Sequence, residues 1–123
     1  MSESLNDAVK ALEMAIAELN EYAKSRDPML LRDAAEKGGW LAVSKAIEAL
    51  LRAKGIEART YRERRDALSR LGLDYLRDRY AAREKFLHID CFYDGLCDEE
   101  FVRKELDKVR EMIDEVRELI LSP

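Results

Sequence analysis

The C-terminal part of the chain repeats an apolar residue at alternating steps of four and three. The repeat consists of Val102, Leu106, Val109, Ile113, Val116 and Ile120. This spacing places all six side chains on one face of an α-helix. The first segment carries the same repeat in Leu5, Val9, Leu12, Ile16 and Leu19. We therefore predict a helix over residues 3–25 that packs against a C-terminal helix starting at Asp98-Glu99-Glu100, whose acids suit a helix N-terminus.

The segment after the first helix predicts a second helix over residues 28–54. Asp27 is a candidate N-cap, and Pro28 fits the first helical position because its missing N–H is not needed there. Gly55 is a suitable C-cap. Gly38-Gly39 in mid-helix predicts a kink or a close helix crossing, and Trp40 beside it predicts a core or interface anchor.

Two shorter helices are predicted before the C-terminal one. Thr60 and Glu63 fit a capping box at the start of a helix over residues 61–71, and Gly72 ends it. Asp74 is a candidate cap for the next helix, and Asp94-Gly95 is a turn signal. One face of that fourth helix carries Leu76, Tyr80, Arg83, Leu87 and Asp90.

The composition agrees with an all-α fold and a single domain over residues 1–123. The chain has only 5 Gly and 2 Pro in 123 residues, and 39% of its residues are charged. We predict a four- to five-helix up-and-down bundle with short connections. No stretch approaches the roughly 20 apolar residues that span a bilayer, so we expect no membrane association. The N-terminus has no signal-peptide pattern, and we expect a cytoplasmic protein.

Cys91 and Cys97 are too few for a disulfide framework, and with one histidine they do not form a zinc motif. The chain has no Gln and only Asn6 and Asn20, which is typical of thermophilic proteins, where an intracellular disulfide occurs. The sequence leaves open whether the two cysteines are joined. An acidic group could suggest a cation site, but its spacing is not that of an EF-hand and helix capping explains three of its members. The group comprises Asp90, Asp94, Asp98, Glu99 and Glu100. We predict no metal and no cofactor.

Charge is concentrated in the middle of the chain. Residues 52–85 carry 11 Lys or Arg against 6 Asp or Glu, whereas the whole protein has a net charge of −4. Arginine pairs with phosphate in a bidentate manner, and aromatic residues between the arginines could stack on bases. The candidate RNA-binding residues are Arg62, Arg65, Arg77, Arg79 and Tyr80. The alternative is a solvated, ion-paired helix face with a core or dimer-seam use of the aromatics, and the acidic net charge opposes broad nucleic-acid affinity.

His88 is the only histidine, and it follows Arg83 by five residues in the run REKFLH. This R-x4-H arrangement, late in a helical chain, resembles the HEPN superfamily. Two segments resemble its archaeal PaREP-type branch: AEKGGWLAVSKAIEALL at residues 35–51 and LGLDYLRDRYAAREKFLHIDCFYDG at residues 71–95. The resemblance covers most of the chain from the second helix to Gly95.

The resemblance implies a homodimer in which both Arg–His pairs meet in one cleft and, in active members, metal-independent RNA cleavage. His88 would be the general acid or base, and Arg83 would bind the scissile phosphate. A toxin-like member would have RNA as its substrate and a nucleotidyltransferase antitoxin as its partner. We therefore predict Arg83 and His88 as catalytic residues.

Two features depart from that pattern. Glu84 follows the arginine where active members often carry Asn, Asp or His. In a regular α-helix, residues five apart lie about 140° apart around the axis, so Arg83 and His88 converge only if the helix bends or a partner completes the site. The alternative function is therefore a non-catalytic homodimeric module that binds a nucleotide, an RNA or another protein.

Overall fold

The computed structural model describes residues 3–122, which form five helices and no strand. Two of these helices contain a π-helical segment, in which i→i+5 hydrogen bonds widen the turn. In chain order the elements are α1 (Glu3–Ser25), α2 (Pro28–Asp33), π1 (Ala34–Trp40), α3 (Leu41–Ala53), α4 (Tyr61–Arg70), α5 (Asp74–Arg83), π2 (Glu84–Tyr93) and α6 (Glu99–Leu121). α2, π1 and α3 form one continuous helix, and α5 continues into π2. The prediction of an all-helical bundle is confirmed.

Two of the three predicted N-caps, Asp27 and Thr60, are confirmed, and the structure adds a third cap at Asp98. The Asp27 carboxylate accepts from the Met29 N–H, the Thr60 hydroxyl from the Glu63 N–H, and the Asp98 carboxylate from the Phe101 N–H. The prediction for Asp74 is wrong: Leu73 occupies the N-cap position and Asp74 is the first helical residue. Its carboxylate instead accepts a hydrogen bond from the Ser69 hydroxyl at 3.2 Å, since the tight turn at Gly72 brings the two helix ends together.

The predicted apolar stripes of α1 and α6 face the core. α6 packs against both α1 and α3, so the pairing of the first and last helices is confirmed, with α3 as a further partner. Most members of the two stripes are buried, and Val9, Ile16 and Ile120 are half-buried at the edge of the same core. α3 adds a third apolar surface, which includes Val43, Ile47 and Leu50.

The Gly38-Gly39 pair marks a close helix crossing, as predicted. A Cβ on Gly38 would lie 1.7 Å from the Ala15 Cβ and 2.7 Å from the Ala11 carbonyl oxygen, so only glycine fits where π1 crosses α1. At Gly39 the nearest neighbour would be the flexible end of Leu87 on π2, at 2.7 Å. π1 is therefore held between α1 on one side and π2 on the other.

Cys91 and Cys97 form a disulfide, which settles the question the sequence left open. Cys91 is buried in π2, and Cys97 lies in the loop before α6. The disulfide joins the end of π2 to the start of the last helix. None of the helices within residues 3–122 combines the length and apolar character that crossing a lipid bilayer requires.

Candidate functional site

The two π segments face each other and bring a histidine and a glutamate into contact. His88 of π2 lies with Nδ1 2.6 Å from Oε1 of Glu36 in π1. Both side chains retain 24% of their accessible surface, so the pair is sheltered but open to solvent. A carboxylate at Nδ1 fixes the tautomer with the proton on that nitrogen and leaves Nε2 as the basic atom. This arrangement suits a group that accepts and returns a proton.

Aromatic rings extend from His88 toward α4. Trp40 stacks on His88 with ring centroids 5.4 Å apart, and it also stacks on Tyr80 at 5.0 Å. Tyr61 of α4 contacts both Trp40 and Tyr80 edge-on. Trp40 and Tyr61 are half-buried. Because Trp40 contacts both His88 and Tyr61, it is an anchor, as predicted, and it joins the histidine to α4.

The C-terminal end of π2 supplies two further aromatic contacts to the histidine. Phe92 stacks on His88 at 6.3 Å, and the exposed Tyr93 contacts it edge-on at 4.9 Å. Arg32 fixes this end, because its guanidinium donates to the backbone carbonyls of both residues. The disulfide at Cys91 constrains the same turn.

Arg83 occupies a different environment from His88. Its Nε lies 2.9 Å from Oε1 of Glu105 on α6, and the two side chains retain only 5% and 3% of their surface. Burial lowers the pKa of Arg83, and the Glu105 charge opposes that shift. Glu105 also accepts from Lys108 at 2.9 Å. Although the π turn brings residues five apart nearer to one face, Arg83 contacts α6 and His88 contacts π1.

The residues predicted to bind RNA differ in their exposure to solvent. Tyr80 is fully buried and its hydroxyl lies 3.0 Å from the Ser44 hydroxyl, so a base cannot stack on it without displacing Trp40 or Tyr61. Arg77 is paired with Asp74 and Asp78.

Three predicted arginines remain at the surface. Arg79 bridges Glu111 and Glu115 of α6. Arg62 is exposed on α4. Arg65, also exposed, lies over the Tyr61 ring at 5.4 Å and is therefore adjacent to the aromatic series.

Three of the acidic residues near the C-terminal turn form ion pairs within the protein. Asp90 pairs with Lys85, Glu99 with Arg26 and Arg103, and Glu100 with Lys104. Between residues 3 and 122, no three His, Cys, Asp or Glu side chains are grouped as metal ligands.

Glu36 is the site residue that the sequence did not reveal. It lies 52 positions before His88, and no motif links the two. The available signal was its place beside Gly38-Gly39-Trp40, since a glycine pair that breaks a regular helix often marks a functional segment.

Comparison of the chain with protein family models, with curated proteins and with solved structures finds no match.

Proposed function

We propose that the protein is a HEPN-like, metal-independent endoribonuclease in which His88 transfers the proton. The observation that carries the proposal is the 2.6 Å contact between His88 and Glu36 at a partly exposed position. A histidine held at Nδ1 by a carboxylate, with Nε2 left to act, is the arrangement of an acid–base pair. The R-x4-H resemblance independently selects the same histidine.

The chemistry needs only groups that the chain and its substrate supply. Nε2 of His88 takes the proton from a ribose 2′-hydroxyl, whose oxygen attacks the adjacent phosphorus. The bond to the 5′-oxygen breaks, and that oxygen takes up the proton that the His88 imidazolium returns. The products are a 2′,3′-cyclic phosphate and a 5′-hydroxyl end. Glu36 stabilises the imidazolium that forms in the first step.

The surroundings of His88 suit a single-stranded substrate. Trp40 and Tyr61 are half-buried and Tyr93 is exposed, so partly accessible aromatic rings surround the histidine. Bases unstacked from a single strand bind to such rings. Arg65, over the Tyr61 ring, supplies a nearby cation for the backbone.

Arg83 does not reach a substrate in this arrangement. Its predicted contact with the scissile phosphate requires the buried pair with Glu105 to open. In our proposal Arg83 therefore positions π2, and the cation at the phosphate is supplied by another arginine or by a second subunit. A homodimer, an RNA substrate and a nucleotidyltransferase antitoxin remain predictions from the family resemblance.

A second candidate is a non-catalytic module that binds a nucleotide, an RNA or a partner protein. Two observations favour it: Arg83 is engaged inside the fold, and apolar side chains near the site are exposed, with 63% of Tyr93 and 69% of Leu96 accessible. If the Arg83–Glu105 pair only stabilises the fold, Arg83 would be buried in this same way.

Incubation of the purified protein with 5′-labelled single-stranded RNA separates the two candidates. We expect cleavage by the wild type, loss of about 10²- to 10⁴-fold in His88→Ala, and fragments ending in a 2′,3′-cyclic phosphate. Lys85→Ala, on the same π segment but with an exposed side chain, is the matched control and should cleave normally. RNA that binds without being cut would favour the second candidate.

A further inference from the structure

A cavity of about 230 Å³ lies where α3 ends and α4 begins, away from the His88–Glu36 pair. Three arginines supply its positive charge: Arg52 from α3, Arg59 from the connecting loop and Arg64 from α4. Ile56 and Ala58 pack against the core and form its apolar floor. The cavity therefore combines an apolar floor, packed against the core, with several guanidinium groups.

Arg64 holds a buried donor that the protein itself does not satisfy. Its Nε has no accessible surface and finds no hydrogen-bond partner among residues 3–122. Its Nη2 lies 3.4 Å from the Arg59 carbonyl oxygen, and the guanidinium also hydrogen-bonds the Tyr80 hydroxyl. A buried charged donor without an acceptor is costly, and such groups in native proteins usually have an ion or water as their partner.

The acids around the cavity leave room for an anion. Glu48 lies 2.9 Å from Arg52, one turn away on α3, and this pair largely neutralises itself. Glu57 lies 3.7 Å from Arg59, whose side chain retains 82% of its surface. Because that contact is long and exposed, Arg59 can exchange the Glu57 carboxylate for a more highly charged oxyanion at little cost.

We propose that this cavity binds a phosphate group through Arg59 and Arg64, supplied either by an RNA backbone or by a mononucleotide. Phosphate presents several oxygens to the guanidinium forks of the two arginines. The site does not depend on the proposed cleavage, since a binding module would use it equally.

The cavity is also connected to the aromatic series. The Arg64 guanidinium acts on the Tyr80 hydroxyl, where it opposes the burial that raises the Tyr80 pKa. Tyr80 stacks on Trp40, and Trp40 stacks on His88. A phosphate held at Arg64 therefore lies at the far end of the same row of side chains that contains the histidine.

The test is an NMR titration of the arginine Nε–H signals with inorganic phosphate. We expect a saturable shift of the Arg64 signal with a Kd of about 1 mM or tighter. Arg64→Gln should weaken binding at least about tenfold, as expected for a lost charge-assisted hydrogen bond. Arg70→Gln, an exposed position on the same helix and outside the cavity, is the control and should bind like the wild type. Arg64→Lys keeps the charge and should recover only part of the affinity.

Two further ligands identify the source of the phosphate. A 2′-O-methyl oligoribonucleotide cannot be cleaved through its 2′-oxygen, so its binding is measured independently of any nuclease activity. Tighter binding of this oligomer than of adenosine 5′-monophosphate would identify the RNA backbone, and the reverse would identify a mononucleotide. The proposal is overturned if phosphate produces no saturable shift at Arg64, or if Arg70→Gln weakens binding as much as Arg64→Gln does.

Discussion

Arg83 and His88 lie five residues apart in one helix, and each is paired with a glutamate, yet the two pairs differ in almost every physical respect. Arg83 and Glu105 are buried between α5 and α6, whereas His88 and Glu36 retain about a quarter of their surface between the two π segments. A buried ion pair leaves little room for a ligand, while a half-exposed pair can meet one. The Arg83–Glu105 pair is therefore closed to a ligand, and the His88–Glu36 pair is accessible to one.

Removing one member of the buried pair should have the largest effect. Glu105→Ala leaves the Arg83 charge buried without its partner, which should lower the free energy of unfolding by about 3–5 kcal/mol in urea denaturation. Glu111→Ala is the matched control, since it breaks the exposed contact of Arg79 with the same helix and should cost less than about 1 kcal/mol.

The double variant Arg83→Met/Glu105→Leu sharpens the interpretation. Replacing both charges by apolar side chains should recover most of the stability that Glu105→Ala loses. Equal stability of Glu105→Ala and Glu111→Ala would contradict the structural assignment of the buried pair.

Gly38→Ala tests the segment that carries Glu36. The added Cβ would overlap the Ala15 side chain, so π1 or α1 must shift, at a cost of about 1–3 kcal/mol in the free energy of unfolding. Gly39→Ala is the control, and it should cost less because the flexible end of Leu87 can move away. Urea denaturation of both variants measures the difference, and a smaller loss for Gly38→Ala would mean that the crossing is looser than the structure indicates.

Glu36→Gln should change stability far less than Glu105→Ala. A partly exposed ion pair contributes only about 0–1 kcal/mol, so the unfolding transition should move little. Glu13→Gln, an exposed acid of α1, serves as the reference. A loss above about 2 kcal/mol would show that the His88–Glu36 pair is structural after all.

We expect the smallest effect on stability from the ionisation of Tyr61 and Tyr75. Burial and then the Glu84 carboxylate raise the pKa of Tyr61 to about 12. A hydrogen bond to Glu115, and then burial, raise the pKa of Tyr75 to about 12. In the unfolded chain both tyrosines should have a pKa of about 10. The folded state therefore keeps protons that the unfolded state loses, and stability should fall as pH rises from about 10 to about 12.

Ultraviolet titration of the tyrosinate band checks this directly. Tyr61→Phe and Tyr75→Phe should each remove one late-titrating group. Ionisation of either tyrosine near its ordinary value would show that its surroundings are more open than described.

The sequence predicted the helices well because their apolar repeats and end signals are local. The stripes of α1 and α6, the caps at Asp27 and Thr60, the acidic start of α6 and the close crossing at Gly38 follow from spacing and residue type alone. The prediction for Asp74 was wrong because its carboxylate could either cap a helix or accept a hydrogen bond from Ser69. The turn at Gly72 brings Ser69 close to it and favours the second contact.

The site was only half predictable. His88 stood out as the only histidine, but its contact with Glu36 depends on two π segments facing each other across 52 positions. The burial of Arg83 could not be foreseen either, because Glu105 lies beside Leu106 in the apolar stripe and reads as an ordinary surface acid. Local patterns do not specify which charged side chains meet across a bundle.

The most direct test is a double-mutant cycle on RNA cleavage with His88→Ala and Glu36→Gln. If the two residues act as one unit, Glu36→Gln should lower the cleavage rate, and the double variant should be no slower than His88→Ala alone. All three variants should remain folded by circular dichroism. Cleavage that survives His88→Ala, or a Glu36→Gln rate equal to that of the wild type, would contradict the assignment of the His88–Glu36 pair as the reactive centre.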